Sequence, residues 1–250
     1  MGVPLLRPAG PHHRPGARMR GNLAVVPALA LMAIVACSGS QPAGDANKIL
    51  RESANAMAQL QTVSATLKLT KGTISIQGFT LVSAKTAVRM PNDSDTTYTV
   101  KQQDVSFKLQ ILIVGGHVYE HIPFTPMREI TGPEAEAFPN MAKLFDPTTG
   151  FPAVIPAGTA KKYVASEQLD GVTVDHVSTL YTPEQVRGLL AALNSSGPVA
   201  ADVWVRSSDH LIPKAVLAGA FGDAGAQAAI EVDISSFNAA VSIASPSPSQ

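Results

Sequence analysis

The chain contains a single cysteine, Cys37, and this constrains how it can fold more than any other residue. A lone thiol cannot form an intramolecular disulfide, so packing and hydrogen bonding alone must hold the fold. Cys37 closes the fifteen-residue segment Leu23–Cys37, which carries no charge and is apolar apart from Pro27. Four arginines precede this segment and no acidic residue does. A basic start, a short apolar stretch and small residues at its exit are typical of an export signal, and the stretch is shorter than the roughly 20 residues of a membrane-spanning helix.

The last four residues of this segment, IVAC, resemble a bacterial lipobox. The resemblance implies cleavage after Ala36, a diacylglycerol on the sulfur of Cys37 and an acyl group on the new amino terminus. An ordinary secretory signal and an uncleaved anchor are the alternatives. Two acyl chains anchor a protein stably, because each buried CH₂ contributes about 0.8 kcal/mol. We therefore predict a lipoprotein signal peptide over residues 1–36, with translation starting at Met1 or Met19, and attachment to the cell membrane facing the periplasm or envelope.

The remaining 214 residues are enough for one domain with a sizeable core, or at most for two small ones. We predict a flexible tether at 37–44, the domain at 45–244 and a disordered tail at 245–250. The mature chain has 15 basic and 19 acidic residues, a net charge of −4, which argues against a nucleic-acid partner. Hydrophobic residues make up 45% of the chain but aromatic ones only 5%, so its interior is predicted to be aliphatic.

Periodicity predicts one helix followed by many strands. Apolar residues recur at helical spacing between Ala46 and Leu60, with Asp45 as N-cap. Alternation then predicts strands and hairpins to the end of the chain. The strands are expected at 63–71, 74–81, 84–90, 96–100, 105–114, 117–121, 159–169, 172–181, 200–206, 210–217, 226–234 and 240–244. Four consecutive apolar residues, 111–114, predict a strand covered on both faces, either by helices or by helices and an apolar ligand.

Two further segments interrupt the strands. The stretch 123–156 contains seven prolines and is expected to form loops and short helical turns that cover the sheet without joining it. Thr182, Pro183 and Gln185 together predict the start of a helix that runs to Leu193.

No catalytic motif of an α/β-hydrolase, P-loop protein or dinucleotide-binding protein occurs. His117 and His121 bracket Glu120, but four residues along a strand separate them by roughly 13 Å, too far for one metal ion. We therefore predict no metal site and no enzymatic activity. The carboxylate pairs Asp93/Asp95 and Glu134/Glu136 are expected in solvated loops, and Trp204 in the core.

Several segments resemble the mycobacterial LppX/LprG lipoproteins, the LppX_LprAFG family, over about residues 45–244. The order and spacing of the segments carry the resemblance more than any single motif. They are the glycine hairpin GGHVYEH at 115–121, FDPTTGF at 145–151, DVWV at 202–205 followed by LIPK at 211–214, and VDISSF at 232–237 followed by VSIASP at 241–246.

The resemblance implies an α+β fold, a curved antiparallel half-barrel with helices over its concave face and an apolar cavity between them. It also implies the carriage of multi-acylated lipids or glycolipids between the inner membrane and the outer envelope, with a membrane transporter as a further partner. No cofactor is implied beyond the acyl groups on Cys37. The cavity lining is predicted from the apolar faces of two strand regions and one helix: Val63, Leu67, Leu69, Phe107, Leu109, Ile111, Ile113, Val186, Leu189, Leu190 and Leu193.

Each predicted lining residue is equally compatible with an ordinary packed core. The main alternative function is that of a non-carrying envelope lipoprotein, a sensor accessory or adaptor for a membrane protein, with a filled interior. A lipid-modifying enzyme is a third alternative, although the sequence shows no nucleophile paired with a base.

Overall fold

Antiparallel strands account for most of the structure, a computed structural model that describes residues 44–190 and 193–246. The predicted signal peptide, Cys37 and nearly all of the predicted tether lie outside the described residues, as do 247–250. The described residues all belong to one compact unit, Gln41–Gln250. None of the helices within them is long and apolar enough to span a membrane.

Twelve strands within the described residues form one sheet. They are β1 Thr62–Lys71, β2 Ser75–Ile76, β3 Phe79–Arg89, β4 Asp93–Gln102, β5 Val105–Val114, β6 His117–His121, β7 Arg128–Ile130, β8 Thr159–Leu169, β9 Val172–Tyr181, β10 Val199–Arg206, β11 Lys214–Gly219 and β12 Ala228–Phe237. Their order is β7-β6-β5-β4-β3-β1-β12-β11-β10-β9-β8, every pairing is antiparallel, and β2 pairs with β3 alone. The first and last strands are therefore central neighbours, and the described strands β7 and β8 form the two edges of an unclosed sheet.

Within residues 44–190 and 193–246, four α-helices accompany the sheet. They are α1 Ala46–Met57, α2 Pro133–Glu136, α3 Phe151–Val154 and α4 Pro183–Leu189, with 3-10 turns at Met141–Phe145, Ile155–Ala157 and Asp223–Gly225. The prediction of an antiparallel sheet with few helices is confirmed.

Helix α1 begins as the sequence predicts. The carboxylate of Asp45 accepts hydrogen bonds from the backbone N–H groups of Asn47 and Lys48, which satisfies two donors that have no partner within the helix. The helix ends at Met57 instead of the predicted Leu60. Leu60 remains buried at 4% exposure in the turn that follows, so its apolar spacing continues the stripe although the helix has ended.

The capping box predicted for α4 is confirmed. Thr182 Oγ1 accepts from the N–H of Gln185, and Gln185 Oε1 accepts from the N–H of Thr182. The helix ends at Leu189, four residues earlier than predicted, because Leu190 has an extended backbone.

The prediction of two strands, at 74–81 and 84–90, divides this segment at the wrong place. Residues 75–76 form the short β2, and the rest is one continuous strand, β3. A bulge between Leu81 and Ser83 shifts the register, so that Leu81 and Ala84 are both buried although three positions apart. This shift breaks the alternation in the sequence without ending the strand.

The proline-rich stretch was expected only to cover the sheet, and this is wrong at β7. Residues 128–130 pair with β6 and extend the sheet by one strand. The buried carboxylate of Glu120 in β6 accepts a hydrogen bond of 2.5 Å from the Arg128 guanidinium, which fixes the two strands together. Pro139 separates α2 from the 3-10 turn that follows.

Strand β5 is buried on both faces near its end, as the four apolar residues predict. Ile111 and Ile113 belong to the main core. Leu112 and Val114 belong to a second, smaller cluster, where they pack with Ile243 from the C-terminal segment. The cover of this second face is thus the end of the chain, which was not among the alternatives.

Three further predictions are corrected. Residues 239–246 form no strand. Strand β11 begins after Pro213 and not at His210, because proline cannot donate to a strand ladder. Trp204 is not in the core: Val203 and Val205 occupy the buried face of β10, and the indole lies on the other face, stacked at 4.4 Å on the ring of His176.

Asp93 and Asp95 do not lie in a loop as predicted, but in β4, where each has a partner. Asp93 accepts from Arg89 at 2.7 Å, and Asp95 accepts from Gln110 at 2.8 Å. Both carboxylates therefore bind side chains of neighbouring strands.

Candidate functional site

An apolar pocket lies between one face of the sheet and the short helices. Its floor comes from five neighbouring strands, β3, β1, β12, β11 and β10. Four of the floor residues are Ala65, Ala84, Ala201 and Ala215. Since protein interiors are otherwise close-packed, small side chains on adjacent strands leave space that leucine or isoleucine would fill. The remaining floor residues are Leu67, Thr86, Val203, Leu217, Ile230, Val232 and Ile234.

The opposite wall comes from helices and turns. Residues of α1, α3, α4 and the turns around them contribute aliphatic, aromatic and thioether side chains. They are Met57, Met141, Leu144, Phe145, Phe151, Val154, Ile155, Val186, Leu189, Leu190 and Leu193, with Tyr181 from β9 and Ile212 before β11.

The pocket presents almost no polar group to a ligand. Of its 24 lining residues, only Thr86 and Tyr181 carry a polar side-chain atom. Both are already bonded: the Tyr181 hydroxyl donates to the Ile155 carbonyl at 3.1 Å, and the Thr86 hydroxyl shares a hydrogen bond of 2.8 Å with that of Thr96. Burial raises the pKa of Tyr181, so its hydroxyl stays neutral.

The space inside is small for so many lining residues. The cavity volume is about 130 Å³. This is below the range of about 300–1,000 Å³ common for ligand pockets.

A tight turn at Asp146 holds part of the wall. Its carboxylate accepts from the backbone N–H groups of Thr148 and Thr149 at 2.8 and 3.0 Å and from the Thr148 hydroxyl at 2.6 Å. These bonds lower the pKa of Asp146 to about 2. Gly150 completes the turn, where a Cβ would meet the Leu144 carbonyl oxygen at 2.5 Å. The turn leads directly into α3 and so places Phe151 in the pocket wall.

A second pocket, of about 450 Å³, lies where the loop after α4 meets the β11–β12 connection. Ser75, Asn194, Ser196 and Asp223 give it a polar lining. The Asp223 carboxylate accepts from both the backbone N–H and the hydroxyl of Ser75 at 2.8 Å. Its charge therefore serves to fix the start of β2.

Several of the remaining histidine and carboxylate candidates already have a polar partner. His117 Nδ1 lies 2.8 Å from Glu129, and Arg128 binds both Glu120 and Glu134. The guanidinium of Arg128 lowers the pKa of Glu134. Across residues 44–190 and 193–246, no three histidine, cysteine or acidic side chains come together closely enough to hold a metal ion.

Comparison with known proteins agrees with this geometry. A family model described as LppX_LprAFG lipoprotein matches residues 45–243. The chain belongs to the LppX_LprAFG lipoprotein family. A comparison with curated protein sequences found no match.

Two solved structures share the fold of this family member. LprF from Mycobacterium bovis is similar with a TM-score of 0.66 and 15% identity, over 82% of this chain and 97% of that one. Lipoprotein LppX from Mycobacterium tuberculosis is similar with a TM-score of 0.59 and 17% identity, over 80% and 98%. The predicted resemblance and the curved, unclosed antiparallel sheet are both confirmed.

In this family member, five of the eleven predicted lining residues line the pocket. They are Leu67, Val186, Leu189, Leu190 and Leu193. Val63 and Leu69 flank the floor residues of β1 and pack in the main core.

The other four, from β5, lie away from the pocket. Leu109, Ile111 and Ile113 are buried in the main core, and Phe107 packs edge-on against Phe79 with ring centroids 5.1 Å apart. The reason is that side chains from the proline-rich stretch fill the space above this part of the sheet. The ring of Phe138, for example, lies 6.3 Å from that of Tyr98 in β4.

The floor residues of β10, β11 and β12 were missed, although each strand was predicted. Ala201 and Val203 alternate with Asp202 and Trp204, so the inward face was visible in the sequence. Alternation does not distinguish a face that packs solidly from one that borders a space. Short alanines on adjacent strands were the signal that separates the two.

Proposed function

We propose that this chain is a lipid-anchored envelope lipoprotein that binds multi-acylated lipids or glycolipids in its apolar pocket. It would carry them between the inner membrane and the outer envelope. The pocket lining supports this proposal, because its two polar side chains already form hydrogen bonds within the protein. Acyl chains suit such a surface, because each CH₂ kept from water contributes about 0.8 kcal/mol.

A polar head group would remain at the opening, since nothing inside replaces its hydrogen bonds with water. The pocket as described is narrow for several chains, so loading requires the helical wall to move from the sheet. Phe151, Leu189 and Leu190 are only half-buried and lie in that wall. We propose that the wall formed by α3 and α4 opens when lipid enters.

The test is native mass spectrometry of the full chain, extracted from the membranes of an actinobacterial host. We expect adducts whose masses correspond to acylated lipids, released on denaturation. A chain recovered free of lipid, and unable to take up acylated lipid added to it, would overturn the proposal and favour an adaptor.

The anchor is tested separately. We propose that Cys37 carries a diacylglycerol and an N-acyl group that hold the chain at the membrane facing the periplasm. The substitution Cys37→Ala should move the protein from the membrane to the soluble fraction. Unchanged attachment to the membrane would contradict this part of the proposal.

A further inference from the structure

The most exposed large apolar side chain in the described structure is that of Phe124, at the tip of the hairpin between β6 and β7. Its φ of 67° lies in the left-handed region, which is costly for an aromatic residue. Exposing the ring to water and straining its backbone both cost free energy, and no contact of the ring offsets these costs. Strained backbone of this kind clusters at functional sites.

Hydrogen bonds and prolines restrict the backbone of the hairpin tip. The backbone N–H and the hydroxyl of Thr125 both donate to the carbonyl of Ile122, at 3.1 and 2.7 Å. Pro123 and Pro126 flank the tip and restrict its backbone. At the base, Arg128 binds the carboxylates described above, so the hairpin is fixed to the sheet.

The strand directions place other features at the same end of the sheet. We call this end the Phe124 rim: β1, β4, β6, β9 and β11 end there, and β3, β5, β7, β8, β10 and β12 begin there. The turn between β4 and β5 brings Val105, which is 67% exposed, to this rim. Lys101 and Lys108 are exposed in the strands on either side of this turn, against Asp104 within it. Exposed acidic residues, Glu184 and Asp223, lie further along the rim. The part of the rim around the β4–β5 turn is therefore basic and apolar, although the mature chain is acidic.

The opposite rim differs. Its turns contain Pro91–Asn92, Gly115–Gly116, Asp170–Gly171 and Ser207–Asp209, which are small or polar residues. Neither an exposed aromatic ring nor a lysine cluster occurs in these turns.

The amino-terminal end of the described chain lies over the first half of β8, the strand at the opposite sheet edge from β7. A Cβ on Gly44 would meet the ring of Tyr163 at 2.5 Å, and Asn47 accepts a hydrogen bond of 3.2 Å from Lys161, two residues after the start of β8. Residues 38–44 can span at most roughly 24 Å from this point to Cys37. Since β8 begins at the Phe124 rim, a chain anchored at Cys37 would keep this end of the sheet within reach of the membrane.

We infer that the Phe124 rim docks on an anionic bilayer, with the Phe124 ring in the boundary between head groups and acyl chains. Phenylalanine is one of the residues that interfacial segments insert at that boundary, and lysines beside it attract anionic lipids. The docked rim would orient the anchored domain against the membrane surface. This goes beyond the proposed lipid carriage and holds whatever the pocket contains.

The test uses the full lipidated chain in vesicles of phosphatidylcholine, with or without phosphatidylglycerol. Val105→Cys provides a label site on the Phe124 rim, and Ser208→Cys provides a matched site on the opposite rim. An environment-sensitive fluorophore is attached at each, and the unsubstituted chain is the blank, since its only cysteine is Cys37. A quencher carried by the lipid acyl chains reports contact with the bilayer.

We expect quenching at position 105 to exceed that at 208 severalfold, and to increase with phosphatidylglycerol. In the Val105→Cys chain, Phe124→Ala should lower the ratio of docked to undocked protein about tenfold, because a buried phenyl ring contributes that much to partition. Val172→Ala, on the opposite rim, should leave the ratio unchanged.

Equal quenching at the two positions, or no effect of Phe124→Ala, would overturn the inference. Quenching confined to native membranes and absent from lipid vesicles would overturn it in favour of a protein partner. A chain absent from the vesicles altogether would instead contradict the anchor at Cys37, so the two proposals fail in different ways.

Discussion

The hydroxyl of Tyr181 donates a hydrogen bond of 3.1 Å to the backbone carbonyl of Ile155, within the wall of the apolar pocket. This bond joins the end of β9 to the turn that precedes β8. Both residues are buried, so the carbonyl depends on this hydroxyl for its hydrogen bond. The bond lets a tyrosine line the pocket without offering a polar group to a ligand.

Tyr181→Phe should therefore destabilise the fold without impairing lipid binding. The buried carbonyl would lose its donor, which costs about 1–3 kcal/mol in the free energy of unfolding, measured by urea denaturation. Lipid occupancy should be unchanged, because the lining becomes only more apolar. Tyr163→Phe is the control: its half-buried hydroxyl lies 3.4 Å from Asp175, and its loss should cost less than about 0.5 kcal/mol. Equal losses in the two variants would contradict this account.

The small side chains on the pocket floor should control how much lipid the chain binds. Ala215→Trp introduces an indole into the pocket, so we expect the lipid-bound fraction in native mass spectrometry to fall severalfold. Ala218 lies three positions on in β11 but is exposed, which makes Ala218→Trp the matched control. If the thermal stability of the Ala215 variant stays near that of the control while its occupancy falls, the effect is one of space. Unchanged occupancy would mean that lipid does not occupy this pocket.

The sequence predicts a strand well where apolar and polar residues alternate, as in β1, which was predicted at 63–71 and spans Thr62–Lys71. It fails where the backbone departs from regular pairing without a change in hydrophobicity. The bulge between Leu81 and Ser83 divided one strand into two in the prediction. No strand was predicted in the proline-rich stretch because of its prolines. Three residues without proline, Arg128–Ile130, nevertheless pair with β6.

The pocket was harder to predict than the sheet. Apolar alternation on β5 and on β1 looks the same, but Phe138 and its neighbours fill the space above one and not the other. Which face remains open depends on contacts distant in sequence, and periodicity contains no information about them. Leu67 and Val186, both apolar and on inward faces, lie in the lining of the pocket.

The turn at Asp146 should make stability depend on pH in the acid range. Because the folded pKa of about 2 lies below the ordinary value of 3.8, the ionised carboxylate stabilises the fold fully above about pH 4. That contribution is lost as the pH falls towards 2. Asp146→Asn should lower the melting temperature at pH 7, and the difference from the natural chain should shrink steadily below pH 4. Asp104→Asn, in an exposed turn, is the control and should show no such trend.

The C-terminal segment should contribute to stability although it forms no strand. Ile243 is 5% exposed and packs with Leu112 and Val114 on the face of β5 away from the pocket. Ile243→Ala should cost about 2 kcal/mol in the free energy of unfolding, at the low end for a buried isoleucine because the cluster is small. Val105→Ala, at a position 67% exposed, should change the same quantity by less than about 0.5 kcal/mol. Lipid occupancy should be unaffected, since the cluster and the pocket lie on opposite faces; if Ile243→Ala emptied the pocket, the two faces of the sheet would have to be coupled.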